Sequence, residues 1–337
     1  MRAARAAVAA LLASAAVVGG AAADPATLRV RQILDFGGDA EANGRMTFLG
    51  GVVLSGPRAF GGWSGMLMDG NRFLAVSDTG TWMTGEVLLE EGQLVGVKDI
   101  AMYPRLDLHG RAITTKLGGD AEALTLVDGG VLVGVESSQQ LLFYPANGID
   151  VDFDAVPERL ELDVPEIVKL RHYGFESLAT RADGTVIAIT EGRDAKTREL
   201  PAFRRPGAPF TIKRDRDWSV TGADMLPGGD MVLMERRYGG GLDVGMRVRR
   251  IGSDAVDSGD GPVDGPVLIE ADFASEIDNM EAITATVEDG QVILTMLSDD
   301  NHAFLQRTLL LRFALRDPLP RPRPERDPAP ERRAKSG

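Results

Sequence analysis

Carboxylate residues stand at most of the ends of a hairpin pattern that recurs five times along the chain. Each copy is a short apolar run, a glycine turn and a second apolar run. In an antiparallel hairpin, residues equidistant from the turn lie opposite each other. The first and last residues of the copies are Ser64 and Asp78, Glu122 and Glu136, Glu176 and Glu191, Asp224 and Glu235, and Glu281 and Ser298. The pattern predicts that each pair meets at the open edge of its hairpin.

Four of the opening residues offer hard oxygen ligands: Glu122, Glu176, Asp224 and Glu281. Repetition of the hairpins around an axis would gather these carboxylates at one channel, where they repel each other unless a cation joins them. Oxygen ligands of this kind suit Ca²⁺ or Mg²⁺, and we expect one Ca²⁺ near the axis. The alternative is that each carboxylate accepts backbone hydrogen bonds and only links neighbouring hairpins.

Three further residues are candidates for catalysis. His302 follows a strand end, and an imidazole can take up or release a proton near neutral pH. Arg193 and Arg236 follow two other strand ends, and a guanidinium group binds phosphate or carboxylate in a bidentate manner. The alternatives are an exposed loop histidine and an arginine that pairs with a neighbouring carboxylate.

The spacing of the copies predicts an all-β chain folded as a β-propeller. Copies recur about every 47 to 58 residues, which is the spacing of propeller blades. Strand-like runs between Leu28 and Leu54 would complete a sixth blade with the C-terminal strand near Leu309 to Leu315. Pairing of the two chain ends closes the ring and leaves no open edge. We expect six blades; five or seven blades, or an open β-sandwich, are the alternatives.

The termini differ in composition from the body of the chain. Residues 1–23 have a basic start, an apolar run and a small-residue end, which predicts a secretory signal peptide and a periplasmic or secreted protein. The alternative is an uncleaved anchor, whereas no later stretch could span a membrane. Residues 24–316 form the predicted propeller domain. Residues 317–337 are rich in proline and charge, which predicts a disordered tail.

Composition and missing motifs exclude several classes of function. A net charge of −13 argues against a nucleic-acid partner. The absence of cysteine excludes thiol catalysis and thiolate metal sites. The chain also lacks a Gly-x-Ser-x-Gly nucleophile elbow, a phosphate loop and a dinucleotide fingerprint.

Several of the hairpin motifs resemble those of one known family. They are Trp63-Ser64-Gly65 with Ala75-Val76-Ser77-Asp78, Gly174-Phe175-Glu176-Ser177-Leu178-Ala179, Leu233-Met234-Glu235-Arg236, and Asn279-Met280-Glu281-Ala282-Ile283. In order and spacing they resemble the bacterial phytase-like family, described as having esterase-like activity, over about Arg29 to Leu315. The resemblance implies a propeller, an exported location and hydrolysis of phosphate or carboxylic esters. The hairpin edges are more distantly similar to those of calcium-dependent lactonase propellers.

Together these observations predict an exported hydrolase that uses a metal ion on a small anionic ester at the mouth of a propeller. The alternative is a non-catalytic periplasmic propeller that binds a ligand or an envelope protein at the same place. Both functions use a polar funnel on the same scaffold, so the sequence leaves both open, together with the identity of any protein partner.

Overall fold

The computed structural model describes residues 24–38, 45–136, 140–161, 174–190, 198–215, 217–241 and 243–316. Two short helices, α1 (Lys116–Gly119) and α2 (Ser253–Ser258), are the only helices in these ranges. The remaining regular structure is β-strand, and within the ranges described no helix is long and apolar enough to cross a membrane. The all-β prediction is confirmed.

The first blade is a four-stranded antiparallel meander. Its strands, from the axis outward, are β4 (Trp63–Asp69), β5 (Arg72–Ser77), β6 (Thr81–Glu90) and β7 (Gln93–Pro104). The short strand β1 (Asp24–Pro25) pairs with the outer edge of β7.

Blades 2 to 4 repeat this order along the chain. Blade 2 contains β8 (Ala121–Val127), β9 (Gly130–Val135), β10 (Gln140–Asn147), β11 (Asp150–Val151) and β12 (Glu158–Leu160). Blade 3 contains β13 (Phe175–Thr180), β14 (Val186–Thr190), β15 (Glu199–Arg205), β16 (Phe210–Lys213) and the parallel strand β20 (Pro262–Val263). Blade 4 contains β17 (Trp218–Met225), β18 (Met231–Gly240), β19 (Asp243–Ile251) and β21 (Val267–Asp272).

The last blade combines both ends of the described chain. It consists of β22 (Asn279–Glu288), β23 (Gln291–Asp299), β24 (Thr308–Leu315), β3 (Met46–Ser55) and β2 (Arg29–Ile33). The C-terminal strand β24 pairs antiparallel with the N-terminal strand β3, so the predicted closure is confirmed.

The same pairing corrects the expected number of blades. The N-terminal strands and β24 extend the hairpin of β22 and β23 instead of forming a sheet of their own. The described residues therefore form five blades rather than six. The sequence pattern predicts separate blades for the hairpin that opens at Glu281 and for the two chain ends. In the structure they share one sheet.

Five buried apolar clusters fill the five spaces between neighbouring blades. In the space between blades 5 and 1, for example, Leu297 and Leu310 pack with Trp63 and Met83. The inner strands β4, β8, β13, β17 and β22 contact one another in sequence, and β22 returns to β4. Each sheet thus buries both faces against its neighbours, which closes the ring and positions the inner strands around one axis.

Candidate functional site

Every inner strand carries a β-bulge near its beginning. In each strand one residue is skipped in the pairing with the second strand of the blade. The skipped residues are Ser64, Glu122, Glu176, Thr221 and Glu281. A bulge leaves its residue outside the ladder and redirects the side chain, which is why bulges often lie beside functional sites. These five residues, which we call the bulge ring, line a narrow cavity on the axis.

The residue after each bulge is small, because the inner strands approach one another closely there. These residues are Gly65, Ala123, Ser177, Gly222 and Ala282. A Cβ atom added to Gly65 would lie 2.7 Å from the Cβ atom of Leu124 on the next inner strand. The recurring pattern of a bulge residue and a small residue thus sets the width of the cavity.

Three of the four predicted metal ligands belong to the bulge ring. Glu122, Glu176 and Glu281 all line the axial cavity, as their hairpin positions predicted. Burial, and then the charge of Glu281, raise the pKa of Glu122 well above its usual range. The repulsion expected between gathered carboxylates is therefore present at Glu122.

Asp224, the fourth predicted ligand, lies elsewhere. Its carboxylate accepts hydrogen bonds from Ala285 N (2.7 Å), Thr284 Oγ1 (3.2 Å) and Met225 N (2.7 Å). Burial raises its pKa to about 6, although these three hydrogen bonds lower it. Asp224 links blade 4 to blade 5, and the expectation that it lines the cavity does not hold. Thr221 occupies the equivalent position of blade 4 and donates a 2.8 Å hydrogen bond to Met280 O.

Glu235, predicted to stand at the same open edge, is also part of the scaffold. It is fully buried and accepts hydrogen bonds from Arg247 Nε (2.6 Å), Arg249 Nε (2.7 Å) and Arg249 Nη2 (2.8 Å). Asp215 and Asp264, whose side chains are exposed, lie at the edge of this network, 2.8 Å and 2.7 Å from the two arginines. The network neutralises Glu235 within blade 4.

The strongest candidate for a cation site lies at the open edge of blade 2. Asp120, Glu122 and Glu136 each offer a carboxylate oxygen, and these oxygens lie within 4.8 Å of one another. Glu136 N donates a 2.9 Å hydrogen bond to Asp120 O, which extends the pairing of β8 and β9 and holds the two residues side by side. Three hard oxygen ligands at this spacing fit a divalent cation such as Ca²⁺. We call these residues the blade 2 carboxylates.

Asp120 was missed in the sequence because it precedes the apolar run that marks the strand. It stands two residues before Glu122, directly after α1, with a positive φ of 20°. The signal that could have found it is its position two residues before Glu122, a predicted ligand.

Asp78 adds a fourth carboxylate next to this group. The residue is 4% exposed, and its Oδ2 atom accepts a 2.6 Å hydrogen bond from Lys116 Nζ. Its Oδ1 atom is buried without a hydrogen-bond partner in the part of the chain that the structure describes. The charges of both Asp78 and Lys116 act on the pKa of Glu122, so Asp78 and Lys116 share one electrostatic environment with Glu122. A buried oxygen without a partner is costly in a finished fold and is typical of a ligand-binding position.

His302 reaches the same opening from blade 5. His302 N and Gly62 N donate hydrogen bonds to Asp300 Oδ1 at 3.0 Å and 3.3 Å, which fix the loop against blade 1. A Cβ atom added to Gly62 would lie 2.2 Å from Asp78 Oδ1 and 3.3 Å from His302 Nε2. Gly62 therefore leaves a space that the exposed imidazole and the buried carboxylate both border. Beside it, the pKa of Asp299 is raised to about 6, mainly by burial and also by the charges of Asp78 and Asp300.

The two predicted anion-binding arginines have different outcomes. Arg236 lies at the axial opening, where its Nη1 atom donates to the side chains of Asn279 and Glu281 on blade 5. The ion pair with Glu281 is the alternative that the sequence left open for Arg236. Arg193 lies outside the described residues, and its role stays a prediction.

Comparison with known proteins supplies a family and distant structural likenesses. Residues 58–302 match the model of the phytase-like family, described as "Esterase-like activity of phytase". No curated protein matches the chain significantly by sequence.

Solved structures similar to this chain share little sequence with it. One is a hypothetical protein from Leishmania major, with 8% identity over 75% of this chain and 84% of that chain and a TM-score of 0.40. Another is the PQQ-bound aldose sugar dehydrogenase of Streptomyces coelicolor, with 13% identity over 86% and 99% and a TM-score of 0.42. A third is a putative 6-phosphogluconolactonase from Bacteroides uniformis, with 11% identity over 73% and 83% and a TM-score of 0.33. Nothing about substrate follows from likenesses this distant.

Proposed function

The chain belongs to the phytase-like family, and on that premise we propose that it is a metal-assisted hydrolase of phosphate or carboxylic esters. The reaction takes place at the opening of the axial cavity, where the inner strands begin. The observation that carries the proposal is the convergence of the blade 2 carboxylates within 4.8 Å of one another.

Two properties of these residues support binding of a divalent cation. Burial and the charge of Glu281 raise the pKa of Glu122, so a positive charge at this place relieves a cost that the folded protein otherwise carries. Asp78 Oδ1 is a buried oxygen whose hydrogen-bonding capacity the described chain leaves unused. Asp120, Glu122 and Glu136 would hold the cation, with Asp78 beside them. A cation bound there supplies electrostatic polarisation of the ester oxygen.

The chain's own groups supply the remaining functions. His302 is exposed beside the space left by Gly62 and is placed to donate a proton to a leaving group or accept one from water. Lys116 holds an ammonium group 2.6 Å from Asp78 and is mostly exposed, so it provides a fixed positive charge for an anionic ester. Arg236 keeps Glu281 in place through their ion pair and thereby limits the negative charge at the axis.

We also propose that the protein acts outside the cytoplasm, because residues 1–23 have the composition of a secretory signal. Those residues lie outside the described part of the chain. Sequencing the N-terminus of protein recovered from the periplasm or medium tests this point. A start at Asp24 supports export, and a start at Met1 contradicts cleavage.

The hydrolase proposal is tested with 4-nitrophenyl phosphate and 4-nitrophenyl acetate, with Ca²⁺ and with a chelator. Turnover that requires Ca²⁺ and falls by about a hundredfold in Glu122→Gln supports it, since catalysis by a bound cation is worth several kcal/mol. Asp224→Asn is the matched control, because Asp224 is a carboxylate outside the bulge ring, and we expect it to retain turnover. Absence of turnover on either ester, with the fold intact, would favour the non-catalytic binding propeller.

A further inference from the structure

A polar cleft opens over blade 4, next to the axial cavity. Its volume is about 410 Å³, within the range of small-molecule sites. The cleft is lined by Arg214, Asp217, Ser219, Arg236, Tyr238, Gly239 and Asp243. Arg236 joins the two sites, because it lines the cleft and also pairs with Glu281 of the bulge ring. A molecule bound in the cleft therefore contacts a residue that also reaches the bulge ring.

Two of the four charged side chains that line the cleft, Arg236 and Asp243, are paired with partners within the chain. Arg236 pairs with Glu281, and the neighbouring Arg237 pairs with Asp243 at 3.2 Å. Arg214 is buried and donates from Nε to Trp218 O at 2.8 Å and from Nη2 to Ser219 Oγ at 3.2 Å. The lining thus contains two arginines and two aspartates with no net charge. A strongly anionic or cationic ligand would therefore meet no excess of opposite charge in the cleft.

The lining of the cleft suits a ligand that carries hydroxyl groups and an apolar ring face. Asp217 is an exposed hydrogen-bond acceptor, and Ser219 and Tyr238 add hydroxyl groups to the lining. Tyr238 is 72% exposed, so its ring is accessible to a ligand in the cleft. An apolar ligand would bury the polar groups of the lining without partners, whereas a hydroxyl-rich ligand both donates to and accepts from them.

The tryptophan behind the cleft makes its geometry rigid. Trp218 is buried, with the guanidinium groups of Arg237 and Arg247 at 5.2 Å and 4.5 Å from its ring. Trp218 and Ser219 pair with Arg237 and Arg236 in the ladder of β17 and β18. Five of the seven lining residues therefore lie on strands of a packed sheet, which favours a preformed binding site; they are Ser219, Arg236, Tyr238, Gly239 and Asp243.

From these features we propose that the blade 4 cleft binds the non-reacting part of the substrate, and that this part is an uncharged, polyhydroxylated group such as a sugar. This inference rests on the proposed function, because it places the sugar moiety of an ester in a cleft that Arg236 connects to the bulge ring. To that function it adds the chemical class of the group that binds in the cleft.

The test is isothermal titration of the mature protein, in a chelator, with maltose, glucose 6-phosphate and cyclohexanol as probes. We expect maltose to bind, and to bind more tightly than the other two. Tyr238→Ala and Asp217→Asn should each weaken maltose binding by about tenfold, the loss expected for one stacking or hydrogen-bonding contact. Phe273→Ala is the matched control, since Phe273 is an exposed aromatic residue that does not line the cleft, and maltose binding should stay unchanged.

Two results would overturn the cleft assignment: no binding of maltose, or binding that Tyr238→Ala and Asp217→Asn leave unaltered. Tighter binding of glucose 6-phosphate or cyclohexanol would overturn the proposed ligand class. Failure here is distinct from failure of the hydrolase proposal, because 4-nitrophenyl acetate carries no sugar. Its hydrolysis without maltose binding refutes only the cleft, and maltose binding without any hydrolysis refutes only the hydrolase.

Discussion

Asp78 and His302 border one space, which exists because residue 62 between them is a glycine. Asp78 Oδ1 and His302 Nε2 would lie 2.2 Å and 3.3 Å from a Cβ atom at this position. The carboxylate belongs to the end of a strand in blade 1 and the imidazole to a loop of blade 5, so closure of the ring is what brings them together. The catalytic role assigned to His302 depends on this space being open to substrate.

Gly62→Ala should therefore lower turnover by about a hundredfold, since misplacement of catalytic groups by about 1 Å carries a penalty of this order. The substitution also strains the backbone, because Gly62 has a φ of +69°. Gly70→Ala is the matched control: its φ is +58° and nothing lies within 4 Å of the added Cβ atom. The two variants should lose similar unfolding free energy from backbone strain, and only Gly62→Ala should lose turnover. Full turnover in Gly62→Ala would remove His302 and Asp78 from the mechanism.

The packing of the inner strands around the axis predicts a difference between two strand glycines. Gly65→Ala places a Cβ atom 2.7 Å from Leu124 Cβ, whereas Gly96→Ala, on β7, meets only the flexible Leu88 side chain at 3.3 Å. Overpacking of a rigid contact costs about 1–3 kcal/mol of unfolding free energy. Urea unfolding should show this loss in Gly65→Ala and a smaller change in Gly96→Ala. Equal effects would mean that the axis is less tightly packed than the structure indicates.

Removal of the buried carboxylate of blade 4 should be among the most damaging substitutions in the scaffold. Glu235→Gln leaves two buried arginines without their shared negative partner, and breaking a buried ion pair costs about 3–5 kcal/mol. Asp264→Asn removes a partly exposed partner of Arg249 and should cost about 1 kcal/mol or less. Chemical unfolding of both variants compares the two losses. A mild effect of Glu235→Gln would contradict its assignment to the scaffold.

The raised pKa of Asp224 predicts how the stability of the fold depends on pH. Its folded pKa is raised to about 6 from an ordinary 3.8, so the folded state holds the proton more tightly than the unfolded chain. Its contribution to stability is therefore full below pH 4 and is lost as the pH rises from about 4 to 6, by at most about 3 kcal/mol. Asp299, also raised to about 6, contributes with the same sign.

Urea unfolding between pH 4 and 7 tests this prediction. Asp224→Asn should flatten the decline of the unfolding free energy by about 1–2 kcal/mol, because the asparagine does not titrate. The control is Asp260→Asn, which changes an exposed loop aspartate and should leave the wild-type slope. Identical slopes for wild type and Asp224→Asn would contradict the raised pKa.

Much of this fold and part of the site could be predicted from local sequence. Alternating apolar runs and glycine turns are local signals, so the hairpins and the convergence of Glu122, Glu176 and Glu281 followed from them. In blades 1 and 2 the predicted pairs lie one residue from the observed pairs, because the bulge inserts an unpaired residue into the inner strand.

In blade 4 the difference is larger, since Asp224 pairs with Val232 and Glu235 with Val220. In blade 4 the sequence pattern predicted Asp224 instead of Thr221 as the opening residue. Asp224 is a carboxylate, like most of the other predicted opening residues, whereas Thr221 is not.

The features that were missed depend on contacts between distant parts of the chain. The pairing of Arg236 with Glu281 joins two blades, and the number of blades depends on which sheet the chain ends enter. Asp120 belongs to the blade 2 carboxylates through a loop and a short helix that carry no strand periodicity. Local pattern cannot specify these relationships, because the closed ring determines them.

The most direct test of the central claim is calorimetric titration of chelator-treated protein with Ca²⁺. We predict one Ca²⁺ bound per chain, with the heat of binding lost in Glu122→Gln and Glu136→Gln and retained in Asp224→Asn. No heat with wild-type protein, or equal binding by wild type and Glu122→Gln, would contradict a cation site at the blade 2 carboxylates and the metal-assisted hydrolysis built on it.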